Sequence, residues 1–180
     1  YFYCMEVACT FSSYFSMNDL IANRDPDNLD SSNGFQSESD PCQRAWVEVY
    51  PNAIQENVRT IKERLADTCA LMAVVKADGY GHGAETVSAA ALKGGASSLG
   101  VATLQEGIEL RQAGFQCPIL LLANLTEAEE LKSCLHWKLI PTLSSIREAL
   151  ICEKIAQDSG RRFEVQLKFD TGMTRLGCDL

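Results

Sequence analysis

From residue 44 onward, short apolar runs alternate with longer stretches whose apolar residues recur every three to four positions. The run AWVEVY (45–50) predicts a strand. Pro51 and Asn52 then open a helix with Ile54, Val58, Ile61 and Leu65 on one face, and Asn52 and Gln55 are spaced as a capping box. The run ALMAVVK (70–76) is too short for a helix and β-branched towards its end, which predicts a second strand. A helix over 85–93, stopped by Gly94 and Gly95, leads to a strand over 98–102. Three more cycles follow. Thr103 with Glu106 caps a helix running to Gly114, before a strand over 118–122. Thr126 with Glu129 starts the next helix, before a strand over 139–142. Ser145 with Glu148 starts a helix to about residue 159, before a strand over 163–169.

Short apolar strands separated by helices are the signature of βαβ units, with a parallel sheet covered by helices. About five such units are visible. An open doubly wound sheet and a closed (β/α)8 barrel both fit the alternation, although no G-x-G-x-x-G follows the first strand. Residues 1–43 differ: they are acidic and turn-rich, without a helical or strand period, and predict a disordered extension ahead of a domain over 44–180. The apolar start is read as no signal peptide, since it lacks a basic region and Glu6 interrupts it.

Composition narrows the function classes. A net charge of -8 argues against a nucleic-acid surface, and no apolar run is long enough to cross a bilayer. Eight cysteines never form a C-x-x-C pair and only two histidines are present, so neither a metal site nor a redox motif is expected. Reduced thiols in the cytoplasm are the expectation.

Two clusters carry chemistry. In AVVKADGYGHG (73–83), Lys76 ends a buried strand and leads into a loop with Gly79, Gly81 and Gly83. Ligands sit at the carboxyl ends of strands in parallel α/β proteins. Apolar neighbours would disfavour the ammonium form of a lysine there and make it a nucleophile towards an aldehyde. Tyr80 offers a hydroxyl suited to a phosphate. On these residues alone, a lysine snorkelling to solvent above a glycine turn fits as well. His82 is read as held by local hydrogen bonds, with no catalytic role. In KFDTGMTRLG (168–177), Lys168, Asp170 and Arg175 crowd the end of another strand. Arg175 presents a planar fork for a carboxylate or phenolate, and a surface ion-pair cluster fits equally.

Together, VVKADGYGHG, KFDTGMTRLG and the preceding RAWVEVYPNAIQENV resemble the alanine racemase family, from about Arg44 to the C-terminus. The resemblance implies an α/β barrel of the TIM type followed by a β domain, in a homodimer. It also implies pyridoxal 5'-phosphate joined to Lys76, a phosphate contact from Tyr80, and Arg175 on the substrate carboxylate and the cofactor's phenolic oxygen. Lys168 matches the lysine that is often carbamylated and holds that arginine. Asp78 and Gly79 stand where the family commonly has Asn and Ala. The implied reaction interconverts L- and D-alanine, supplying D-alanine for peptidoglycan. Lys76 serves one face of Cα and a tyrosine of the partner's C-terminal domain the other, and no residue here matches that tyrosine. The chain is therefore expected to be a partial barrel, inactive alone. Two alternatives are a non-catalytic pyridoxal-phosphate homeostasis barrel and a decarboxylase acting on basic amino acids.

Overall fold

The computed structural model describes residues 47–179. The expected extension over 1–43 and the signal-peptide reading lie outside these residues. The larger compact unit begins, among them, at Tyr50.

Its elements run α1 (Pro51–Glu63), β1 (Met72–Val74), a left-handed turn (Lys76–Gly81), α2 (Ala84–Gly94), β2 (Ser98–Val101), α3 (Leu104–Gln112), β3 (Ile119–Asn124), α4 (Ala128–Trp137), β4 (Ile140–Leu143), α5 (Ile146–Ser159) and β5 (Gln166–Leu167). The five strands form one sheet in the order β1-β2-β3-β4-β5, every neighbouring pair parallel. This order decides between the two architectures left open by the alternation. A doubly wound sheet reverses direction at a switch point, whereas a (β/α) barrel adds each strand beside the last. The sheet is the first five-strand part of a barrel-type α/β fold.

Burial explains why the strands read as continuous apolar runs. Leu99, Val101, Ile119, Leu121 and Leu143 are inaccessible or nearly so. Leu110, Leu131, Cys134, Cys152 and Ile155 from α3, α4 and α5 join the same core. A smaller cluster of Val58, Leu71, Ala91 and Ala96 seats α1 against α2. Gly94 permits this approach, since a Cβ there would lie 2.6 Å from the Gln55 carbonyl oxygen and 2.7 Å from Val58 Cβ.

Two predicted capping boxes form, at Thr103–Glu106 and Ser145–Glu148. Two do not. Asn52 lies inside α1, because Pro51 takes the first helical position and the Tyr50 carbonyl accepts from the Ala53 and Ile54 amides. Thr126 is not the cap of α4; that helix is preceded by Glu127, and the Thr126 hydroxyl turns to the Glu127 carboxylate at 3.5 Å. The strand expected over 45–50 is absent from its described part, Val47 to Tyr50, where no ladder forms. The strand expected over 163–169 shrinks to Gln166–Leu167, which pair only with Thr142 and Leu143 at the sheet edge.

Candidate active site

Lys76 leaves the sheet directly after Val75, which is 1% exposed and whose amide bonds to the Gly100 carbonyl. Sequence reasoning expected a loop here. The chain instead makes a left-handed turn: Ala77, Asp78, Gly79 and Tyr80 have φ of 52°, 53°, 61° and 56° with ψ between 36° and 51°. Left-handed helix costs an L-residue roughly 1–2 kcal/mol, so the three non-glycine residues need external restraint. It comes from all sides. The Gly79 amide donates to Val75 O at 2.9 Å, and the Gly83 amide to Asp78 O at 2.9 Å. Asp78 Oδ1 accepts from the Ala84 amide at 2.7 Å, and Glu106 Oε1 from the Ala77 amide at 2.7 Å. His82 Nδ1 lies 3.1 and 3.0 Å from the Gly79 and Tyr80 carbonyls, a position that requires the proton on Nδ1. The ring thus holds the turn.

The turn places Lys76 Nζ 6.0 Å from the centre of the Tyr80 ring. The Tyr80 hydroxyl is buried and, among the described residues, has no hydrogen-bond partner. Buried hydroxyls are normally paired, so an orphan beside a half-buried lysine is a polar end awaiting an acceptor.

The second cluster lies at the other edge of the sheet. Lys168 follows β5, its amide bonded to Leu143 O and its carbonyl to the Cys178 amide. Asp170 Oδ1 accepts from the Gly172 and Thr174 amides at 2.9 Å each, closing the loop that carries Arg175. Hydrogen bonds from Thr174 and then Gly172 hold the Asp170 carboxyl below its ordinary range. Arg175 is exposed, and among the described residues neither its guanidinium nor the Lys168 ammonium takes a hydrogen bond or ion pair. The structure therefore brings Lys76 and Tyr80 together and leaves Lys168 and Arg175 apart from them. Four inter-strand steps separate the clusters along the sheet, which in a barrel curves round so that the ends of its strands ring one mouth. Both sit after the carboxyl ends of their strands, the face on which barrels place their sites.

The chain matches the family model described as the alanine racemase N-terminal domain over residues 49–180. It belongs to the alanine racemase family. It is 64% identical over 141 residues to an alanine racemase of Prochlorococcus marinus, covering 78% of this chain and 36% of that one. An alanine racemase of Synechocystis sp. is 50% identical over 135 residues, with 75% and 36% covered. Among solved structures, the alanine racemase from E. faecalis superposes with a TM-score of 0.66 at 41% identity, over 72% of this chain and 35% of the other. The alanine racemase from Bacillus anthracis with bound L-Ala-P gives 0.69 at 33% identity, over 75% and 34%. The chain thus spans about a third of the length of these racemases.

The five cysteines among the described residues are free. Burial pushes the Cys134 thiol up to about 12, helped by Cys152, and the Cys152 thiol up to about 11, helped by Glu148. Neither is a nucleophile near neutral pH. No helix among the described residues is long and apolar enough to cross a membrane.

Proposed function

We propose that this chain supplies the lysine-bearing part of a pyridoxal-phosphate-dependent alanine racemase. The observation that carries this reading is the pairing of Lys76 with Tyr80, whose buried hydroxyl has no partner among the described residues. A phosphate oxygen would complete that hydroxyl, so the residues present fit the cofactor: Lys76 would hold its aldehyde carbon and Tyr80 its phosphate. When bound, the cofactor supplies an electron sink for the carbanion at the alanine Cα.

The chain's own residues divide the remaining work. Lys76, held by its turn at the strand end, takes and returns the Cα proton on one face of the substrate. Arg175 offers its unengaged fork to the substrate carboxylate and the cofactor's phenolic oxygen. Lys168, two residues before the Asp170 turn, would brace that arginine, as a carbamate where it is modified. The acid/base for the opposite face comes in this reading from a tyrosine of a partner subunit in a homodimer. D-alanine for peptidoglycan is the product this implies, and free thiols suit a reducing compartment such as the cytoplasm. The homeostasis-barrel reading is weaker, because the relatives above carry the name alanine racemase at up to 64% identity.

A base on one face can exchange a proton without inverting the carbon. In deuterium oxide, the chain loaded with pyridoxal phosphate should exchange the Cα hydrogen of one alanine enantiomer far faster than that of the other. Lys76→Ala should abolish it. Exchange that survives in Lys76→Ala removes Lys76 from the chemistry.

A further inference from the structure

Sequence spacing assigned Glu106 to the capping of its own helix, and it does cap that helix, Oε2 accepting from the Ala102 amide at 2.7 Å and the Thr103 amide at 3.0 Å. Its other oxygen leaves the helix. Oε1 accepts the amide of Ala77 at 2.7 Å, 29 residues away. Ala77 follows Lys76 and is the first of the four left-handed residues. One carboxylate therefore ties the end of β2 to the backbone on which the lysine turns.

Glu148 is an internal comparison built on the same plan. Its Oε2 accepts from the Ser144 and Ser145 amides at 2.6 and 3.2 Å, and its Oε1 reaches the end of β3. There it meets the Asn124 side-chain amide at 3.4 Å. Both glutamates stitch consecutive βα units together, yet only Glu106 grips the main chain of the lysine turn. We infer that Glu106 is a positioning residue for Lys76, setting through the Ala77 amide the direction in which the lysine leaves β1. The inference deepens the cofactor reading above and rests on it for its consequence, although the tether itself can be measured without cofactor.

The test uses the full chain as wild type, Glu106→Gln and Glu148→Gln. Glutamine keeps the size of the side chain and one acceptor oxygen, which satisfies more donors facing the Ala102 and Thr103 amides, so its NH2 faces the Ala77 amide and that bond is lost. Two readouts are taken: amide exchange at Ala77, and the share of borohydride-fixed pyridoxal phosphate found on Lys76 rather than on other lysines. Glu106→Gln should speed Ala77 exchange and lower the Lys76 share, each by about tenfold. Glu148→Gln should leave both at the wild-type value, although it alters the equivalent link to the Asn124 side chain. Equal effects from both variants, or none from Glu106→Gln, overturn the inference. A wild-type chain without preference for Lys76 defeats the cofactor reading instead. Ala77 exchange then decides the tether alone: acceleration confined to Glu106→Gln upholds it, and unchanged exchange overturns it.

Discussion

Asp170 organises the second cluster by accepting two main-chain bonds on one oxygen, and this makes the loop sensitive to acid. Those bonds depress its carboxyl below the ordinary 3.8. A carboxylate with a depressed folded value contributes order that is complete above the unfolded value and lost as pH falls through the folded one. Amide protection at Gly172 and Thr174 should therefore be flat from neutral pH down to about pH 4, and should then fall while amides of the core strands hold. Asp170→Asn keeps the acceptor oxygen without the titration, so its profile should stay flat; an acid-side loss persisting in that variant would show that another group controls the loop. At this scale, what could be read from sequence was residue type at a strand end: Lys76, Tyr80, Lys168 and Arg175 are visible there, but a bland surface reading fits them as well and only the family resemblance gives them roles. What could not be read was reach. Glu106 finds Ala77, and Arg111 donates to the carbonyls of Phe115, Cys117, Trp137 and Lys138. Several of these partners lie 26–29 residues away, and only the fold makes them neighbours. Burial lowers the Arg111 pKa, yet an arginine so placed remains a cation and satisfies the loop after its own helix and the end of α4 at once.

Among the elements, the left-handed turn is the one that neither periodicity nor propensity foretold. The pattern K-A-D-G-Y-G reads as loop, because a single left-handed turn has no hydrophobic repeat of its own. Its glycine has two separate reasons. Gly79 lies at φ +61°, and a Cβ there would come within 2.9 Å of Val87 Cγ2 on α2. Left-handed strain and the Val87 contact both oppose Gly79→Ala, but Ala is the residue the family commonly has here, so the change should cost only about 1 kcal/mol, read as a slightly lower urea midpoint. In a Val87→Ala background the same change should cost measurably less, since the overpacking is then relieved. Costs that simply add would place the penalty in the backbone alone. The capping boxes teach a related lesson. Thr103 and Ser145 cap because the helix starts at the very next residue, whereas Pro51 starts its helix one position before Asn52 and removes that residue from the capping position.

Over the whole described unit, alternation of strand and helix sufficed for a parallel α/β fold, and strand order was beyond it. The central strands are largely apolar in either architecture, so only the pairing of β1 through β5 in sequence distinguishes the barrel type. The edge strand was overread for a physical reason too: FEVQLKF has strand propensity along its length, but propensity yields a ladder only where a neighbour is present, and β4 ends at Leu143, which stops the ladder at Leu167. Ile146, Leu150, Leu167 and Met173 are all more than half exposed on α5, β5 and the loop after them, an apolar margin on the side away from β1. The order sets Lys76 and Arg175 after the carboxyl ends of the first and last strands of the sheet. That Lys76 is the cofactor lysine is the claim on which the rest depends. Its most direct test is borohydride reduction of the chain with pyridoxal phosphate at substoichiometric ratio, followed by peptide mapping. The expected result is one dominant reduced adduct, on the peptide containing Lys76, absent in Lys76→Arg. Label spread evenly over the lysines, or unchanged in that variant, would contradict the assignment.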